Sequence, residues 1–360
     1  MPALSDAMTL PRGPAWKNRF MLAPLTNQQS HPDGTLSDEE FRWLTMRAQG
    51  GFGMTMTCAA HVEPRGNAFP GQLGIFDDAL LPGLTRLATA IREAGSVSSV
   101  QLHHGGMRVK PELVSDIVAP SDDAKYNARA LSTAEVEQIR DDFIAAAVRA
   151  EKAGFDGAEI HGAHGYLLCA FLSPDYNRRE DQYGGSLENR ARLTIEVIDG
   201  IRAACGPDFQ LGLRLSPERF GMRIGEIRDL AAEVMTGGKL DYLDMSLWDC
   251  FKAPNEDGFG DDLTAAFTGL PRGETRLGVA GKIMTAAQGQ SLLDAGCDFV
   301  ALGRAAILRH DAPARMIADP GFVSPATPVT AQHLADEGLS PSFVTYMRGW
   351  AGFVEEDKAA

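Results

Sequence analysis

Six times along this chain an amphipathic stretch stops at a glycine and runs at once into a short apolar segment. The stops are Gly50-Gly51, Ala94-Gly95, Ala153-Gly154, Cys205-Gly206, Gly237-Gly238 and Ala295-Gly296. Glycine fits the left-handed position that closes a helix, so each stop reads as a helix end followed by a strand. Two copies can be laid side by side: Ala153-Gly154-Phe155-Asp156-Gly157-Ala158-Glu159-Ile160 parallels Ala295-Gly296-Cys297-Asp298-Phe299-Val300-Ala301-Leu302. The helix before Gly154 is legible in detail. Ser132-Thr133-Ala134-Glu135 has the Ser-x-x-Glu form of a capping box. Val136, Ile139, Phe143, Ala147 and Ala150 then recur at three- and four-residue steps, with Asp141, Asp142, Arg149 and Lys152 on the opposite face.

Candidate strands lie near residues 19–23, 53–59, 97–102, 156–161, 209–215, 240–246, 276–280 and 297–302. Each is followed by room for a helix, and alternating βα units imply parallel strands with right-handed crossovers. Eight such units predict an α/β chain closed into a TIM (β/α)₈ barrel; an open doubly wound sheet is the alternative. A chain of 360 residues is long enough for two average domains, and equally for one decorated barrel. No Pro-, Ser- or Gly-rich linker divides it, so residues 1–360 are expected to form one domain, with a C-terminal extension from about 320. Long post-strand segments at 103–131, 162–185 and 247–270 are the natural walls of a pocket.

Composition narrows the partners. Acids outnumber bases 48 to 34, a net charge of −14, which disfavours nucleic acid and anionic membrane surfaces. No apolar window approaches a membrane span, and the N-terminal stretch lacks the pattern of a signal peptide, so a cytoplasmic protein is expected. Cys58, Cys169, Cys205, Cys250 and Cys297 are too scattered for a zinc ribbon or an iron–sulfur cluster, and no metal is expected.

In a barrel of this kind the chemistry sits on the loops after the strands. After the fourth strand come His161-Gly162-Ala163-His164-Gly165-Tyr166. Two imidazole N–H groups can hold one carbonyl oxygen, and a tyrosine can supply a proton. A zinc or iron pair competes, weakened by the lack of a nearby third carboxylate or thiol ligand; two core histidines without a role are the other alternative. Further on, Ser186 is a candidate N-cap with Glu188 in the first turn. After strands seven and eight stand Ala280-Gly281-Lys282 and Gly303-Arg304, where a glycine backbone and a cation can receive a phosphate; helix capping beside a solvated cation is the bland reading. Arg214 lies inside the apolar fifth strand. Burying it is expensive without an anionic partner: a bound anionic ring or an internal carboxylate.

Taken in order, these pieces resemble the Old Yellow Enzyme family of FMN-dependent ene-reductases. The resemblance runs from Asn18 to Trp350 and is densest between Asp156 and Arg192, in Glu-Ile-His-Gly-Ala-His-Gly-Tyr-Leu and Tyr-Gly-Gly-Ser-Leu-Glu-Asn-Arg. It implies FMN across the C-terminal mouth of the barrel and NAD(P)H as electron donor. Ala23, Pro24, Leu25 and Thr26 would line the flavin ring, Ala59 or a neighbour would offer backbone contacts, and Gln101 would bond the pyrimidine. Arg214 would face N1 and O2; Gly281, Lys282, Gly303 and Arg304 would hold the phosphate. His161 and His164 would bind the activating group of a small-molecule substrate, an α,β-unsaturated carbonyl, and Tyr166 would protonate its α-carbon. Trp248 is a candidate substrate contact. Family habit implies a homodimer or larger homo-oligomer. Met347-Arg348-Gly349-Trp350 resembles a tail that in one bacterial branch enters a neighbouring subunit's pocket, which makes Arg348 a candidate there. Two features depart from that branch: Thr26 replaces a usual cysteine, and Gln28 a usual substrate-contacting tyrosine. Two other readings stand beside ene reduction. One is an FMN-dependent amine dehydrogenase or demethylase of the same family. The other is a flavin-free sugar-phosphate lyase or isomerase barrel.

Overall fold

A computed structural model describes residues 1–356. All eight expected strands form, with ends within two residues of the expected ones. They are β1 Phe20–Leu22, β2 Met54–His61, β3 Val97–His103, β4 Gly157–Gly162, β5 Gln210–Leu215, β6 Tyr242–Ser246, β7 Arg276–Ala280 and β8 Phe299–Leu302. Each pairs in parallel with its sequence neighbours, and β1 pairs with β8, so the sheet closes. This is the (β/α)₈ barrel, and the open sheet is excluded. Among the described residues no helix is long and apolar enough to cross a membrane.

The outer helices form where the periodicity places them. The helix Thr133–Ala153 begins with the expected capping box: the Ser132 side chain accepts from the Glu135 N–H, and the Glu135 carboxylate accepts from the Ser132 N–H. It stops at Gly154, whose φ of 89° is left-handed. One stop works differently. Gly206 has no positive φ, and its helix ends on an extended Cys205. The bare Gly206 backbone instead admits the Glu151 carboxylate, which accepts its N–H at 2.8 Å.

Buried apolar residues separate by strand parity. Leu211, Leu213, Leu243, Val279 and Val300 face the helices, whereas Met21, Met54, Tyr242, Phe299 and Ala301 fill the lumen. Large and small residues interlock across register partners there. Gly212 is paired with Tyr242 and Gly278 with Phe299. A Cβ on either glycine would lie 2.1 Å from its partner's ring. Trp16, from a β-bridged N-terminal turn, closes the floor edge-on against both rings and donates Nε1 to Gln210 Oε1 at 3.2 Å.

Strand β2 breaks parity once. Its register with β3 shifts between Met56 and Ala59, a bulge. Met54 and Met56 point inward, then Cys58 and Ala60 join the outer core. Ala59, an odd-numbered residue, thereby turns toward the barrel mouth.

The C-terminal segment is fastened to the barrel by Arg47, a fully buried residue of the helix Asp38–Gln49. Its guanidinium donates to Ala306 O at 3.1 Å and Glu337 O at 2.7 Å, and covers the Trp43 ring at 4.2 Å. Helix Pro341–Arg348 then sets Phe343 edge-on against Trp43.

Two substitutions test these accounts in urea unfolding. Gly212→Ala drives a methyl into the Tyr242 ring and is expected to cost about 1–3 kcal/mol. Arg47→Met strips buried carbonyls of their donor and is expected to cost about 3 kcal/mol. Wild-type stability in either variant contradicts the corresponding account.

Candidate active site

The strand ends open into a cavity of about 340 Å³. Every residue proposed for cofactor or chemistry lines it: Ala23 to Thr26 after β1, Ala59 on β2, Gln101 on β3, Arg214 on β5, Gly281 and Lys282 after β7, and Gly303 and Arg304 after β8. His161, His164 and Tyr166 line it from the β4 side, with Trp248 after β6. The lining also contains Arg108, Phe220 and Ser246, which the sequence reading did not single out. Two other residues singled out in the sequence lie outside this lining. Arg348 lies outside the lining of its own cavity, and its Nη1 donates to Glu355 O at 3.3 Å. Gln28 is outside it too, where its carbonyl accepts from Ser342 Oγ at 3.1 Å.

Of the two partners offered for Arg214, the internal carboxylate is present. Asp244, opposite Arg214 in the β5–β6 register, places Oδ2 2.9 Å from Nε, and both residues are buried. The hydrogen bonds of the terminal nitrogens of Arg214 are long, Nη1 to Pro24 O and Nη2 to Ser246 Oγ, each at 3.5 Å, and Arg214 lines the cavity. One register step away, Gln101 Nε2 donates to Glu159 Oε1 at 2.7 Å. Burial and the nearby Asp244 push the Glu159 carboxyl well up, so it holds its proton and the cluster carries one full ion pair.

These features fit a flat anionic ring with a phosphate tail. Ala23, Ala59, Ala280 and Ala301 keep side chains short around the mouth, and the spare guanidinium nitrogens of Arg214 offer donors to an electron-rich edge. The phosphate end is less uniform than its two Gly–cation pairs suggest. A Cβ at Gly281 would meet Asp249 N at 2.7 Å, so this glycine is demanded by its protein neighbours. A Cβ at Gly303 would meet nothing nearer than Leu25 Cδ2 at 3.5 Å, so its bare backbone has no such explanation. Lys282 is paired with Asp249 at 2.9 Å, whereas Arg304 lies 5.5 Å over the Trp350 ring.

The two histidines are adjacent and neutral. Burial, reinforced by neighbouring positive groups, holds both imidazoles well below their ordinary pKa. Ala163 N–H donates to His161 Nδ1 at 3.2 Å, so the His161 proton is on Nε2, 3.3 Å from His164 Nδ1. Ser246 Oγ stands 2.7 Å from His164 Nε2. When Ser246 donates, His164 carries its proton on Nδ1, and two N–H groups flank one point. Among the described residues no group of three or more His, Cys, Asp or Glu side chains is placed to hold a metal ion. Tyr166 sets its ring 5.3 Å from His161 and 4.4 Å from His103, and burial pushes its phenol up, keeping the proton on oxygen.

The backbone is strained around this cavity. Seven described non-glycine residues have positive φ, and His164, Phe220, Trp248 and Lys282 among them line it. Such conformations gather where function over-determines the structure.

Comparison with known proteins agrees with this geometry. The NADH:flavin oxidoreductase / NADH oxidase family profile matches residues 13–315. The chain is 38% identical over 317 residues to the probable NADH-dependent flavin oxidoreductase YqiG of Bacillus subtilis (strain 168), covering 84% of each. It is 32% identical over 342 residues to an NADPH dehydrogenase of the same organism, covering 93% of this chain and 95% of that one. The solved old yellow enzyme homologue from Zymomonas mobilis superposes with a TM-score of 0.81 at 27% identity, over 96% of this chain and 99% of that one. Matched along nearly its whole barrel, the chain belongs to the NADH:flavin oxidoreductase / NADH oxidase family, the Old Yellow Enzymes, and is an FMN-dependent oxidoreductase that draws its electrons from NAD(P)H.

Proposed function

We propose that this oxidoreductase reduces the C=C bond of α,β-unsaturated carbonyl compounds. One observation carries the reading: two neutral imidazoles and a protonated tyrosine line the same side of the cofactor cavity, with the His161 and Tyr166 rings 5.3 Å apart. FMN held there would supply two-electron hydride chemistry between a nicotinamide and an electron-poor carbon.

The chain's own residues do the rest. Ala23 to Thr26, Ala59 and Gln101 would bed the ring; Arg214 would face its electron-rich edge; Gly281, Lys282, Gly303 and Arg304 would take the phosphate. His161 Nε2–H and His164 Nδ1–H would hold the substrate oxygen and stabilise negative charge gathering on it. With Ser246 Oγ donating to His164 Nε2 from behind, 2.7 Å away, His164 would present that Nδ1–H. Tyr166 would give its hydroxyl proton to the α-carbon, which is why its phenol must stay protonated. Trp248, half-exposed over the loop after β6, walls the substrate end. The amine-oxidising alternative fits less well, because Arg214, Arg108 and Arg219 all place positive charge near His164 and would repel an ammonium.

Anaerobic stopped-flow kinetics tests the reading. Tyr166→Phe should slow enone reduction by about 10²–10⁴-fold while leaving flavin reduction by NAD(P)H near the wild-type rate. Equal slowing of both half-reactions removes Tyr166 from the proton step. The wild-type protein's failure to reduce any enone would sink the proposed function.

Replacing both His161 and His164 with alanine should abolish the long-wavelength band that phenols form with the oxidised flavin, and its persistence would exclude oxygen binding there. Because both imidazoles are already neutral, binding of a neutral enone should stay flat from about pH 8 to 6. Their depressed values also mean that the unfolded chain binds more protons below about pH 6.5, so stability is present above that range and falls as pH drops through it. A binding transition centred near pH 6.5 would show that the pair titrates freely.

A further inference from the structure

The cavity mouth carries two arginines that the proposed chemistry does not use. Arg108 lines the cavity from the segment after β3, with its guanidinium 5.3 Å from the Tyr166 ring and 5.5 Å from the Phe220 ring. Arg219 approaches from the segment after β5, 4.3 Å over the Trp248 ring and 5.8 Å from the same Phe220 ring. The two cations therefore stand within 6 Å of one aromatic side chain and flank the substrate end of the site. Both are exposed, and among the described residues neither forms an ion pair. That is notable in a chain with net charge −14, where carboxylates are in excess.

Backbone strain holds the second arginine in place. Arg219, Phe220 and Gly221 have φ of 65°, 50° and 72°, three consecutive left-handed residues. Two of them are not glycine, a conformation that stands against steric preference. The turn closes through Met222 N–H donating to Arg219 O at 2.8 Å. Opposite it, a Cβ on Gly165 would lie 2.9 Å from the Phe220 ring, so Gly165 makes room for the turn beside Tyr166. Phe220 and Trp248 hold the two guanidinium groups over their rings without competing for N–H donors, which stay available to an oxyanion.

We propose that Arg108 and Arg219 clamp an oxyanion borne by the molecule that fills the cavity, remote from the oxygen held by His161 and His164. Resting on the proposed function, this narrows its substrates to unsaturated carbonyl compounds that carry a second, anionic group such as a carboxylate. The other source of the same chemistry is the diphosphate of NAD(P)H. Selection comes from the mouth: a neutral substrate meets only aromatic faces there, whereas an anion gains two guanidinium partners.

The test compares matched anionic and neutral probes in the FMN-loaded protein, wild type and Arg108→Gln/Arg219→Gln. In the first arm, oxidised protein is titrated with 3- and 4-hydroxybenzoate and with the corresponding hydroxybenzamides, read by the flavin absorbance change. In the second, NADH and NADPH are compared with 1-benzyl-1,4-dihydronicotinamide, which lacks the diphosphate, by the concentration dependence of flavin reduction. The wild-type preference for the anionic probe should fall about tenfold in the double variant in one arm. A fall in the benzoate-to-benzamide ratio assigns the clamp to the substrate; a fall in the nucleotide ratio assigns it to NAD(P)H. Unchanged ratios in both arms, or equal weakening of charged and neutral probes, overturn the clamp. The titration needs no turnover, so a protein that reduces no enone would remove the proposed function and still report on the arginines.

Discussion

A parallel sheet closed on itself leaves each strand two faces and no freedom between them. One parity must meet the helices, and the other must enter a lumen filled by side chains. Everything in this protein's site follows from that division. Tyr242, Asp244 and Ser246 share one face of β6; Gly212 and Arg214 share one face of β5; Glu159 and His161 share one face of β4. Reading up any of these strands passes from a space-filling floor, through a charged middle, to a reactive rim. The floor and the site are thus successive storeys of the same side-chain columns. The interlock of Gly212 with Tyr242 sets the height from which Arg214 begins.

The charged middle storey carries the electrostatic burden. A buried guanidinium demands an anion, and Asp244 supplies it from the register-paired position. The second carboxyl, Glu159, escapes the same demand by keeping its proton and taking a hydrogen bond from Gln101. With the charges balanced beneath them, the imidazoles above are held neutral by burial and by the cations nearby. Neutral donors, a protonated phenol and spare arginine nitrogens are therefore one arrangement. Removing the Asp244 carboxylate would leave the Arg214 guanidinium buried without its anion, next to both imidazoles.

Much of this was legible in the chain. Period and punctuation located all eight strands, and Ser132–Glu135 and Ser186 cap helices as their spacing implies. The residues that the resemblance assigns to the cofactor and to the proton and oxygen chemistry line one cavity. What could not be read is what depends on register between distant strands. Arg214 and Asp244 lie on separate βα units, and nothing local in either segment declares the pair. Arg108 reaches the rim just past left-handed Gly106, and Phe220 from a short turn in which left-handed Arg219 and Phe220 themselves give no glycine signal. Gly281 illustrates the reverse. Its motif suggests a ligand's approach, but the backbone of Trp248 and Asp249 already accounts for it.

The bulge in β2 has a consequence for how such chains change. Along this strand the inside–outside alternation is a wave of period two, and at Thr57 the wave slips by half a period. Upstream the even residues are in phase with the lumen; downstream the odd ones are. Thr57 and Cys58 share the one place between the Ser99 and Gln101 levels of β3, so losing Thr57 would cancel the slip: Cys58 would stay against the helices and Ala59 would keep its place beside Gln101. The same loss elsewhere in the strand would turn every residue beyond it to the opposite face. The bulge is thus the one point where this strand can shorten without exchanging its inner and outer side chains.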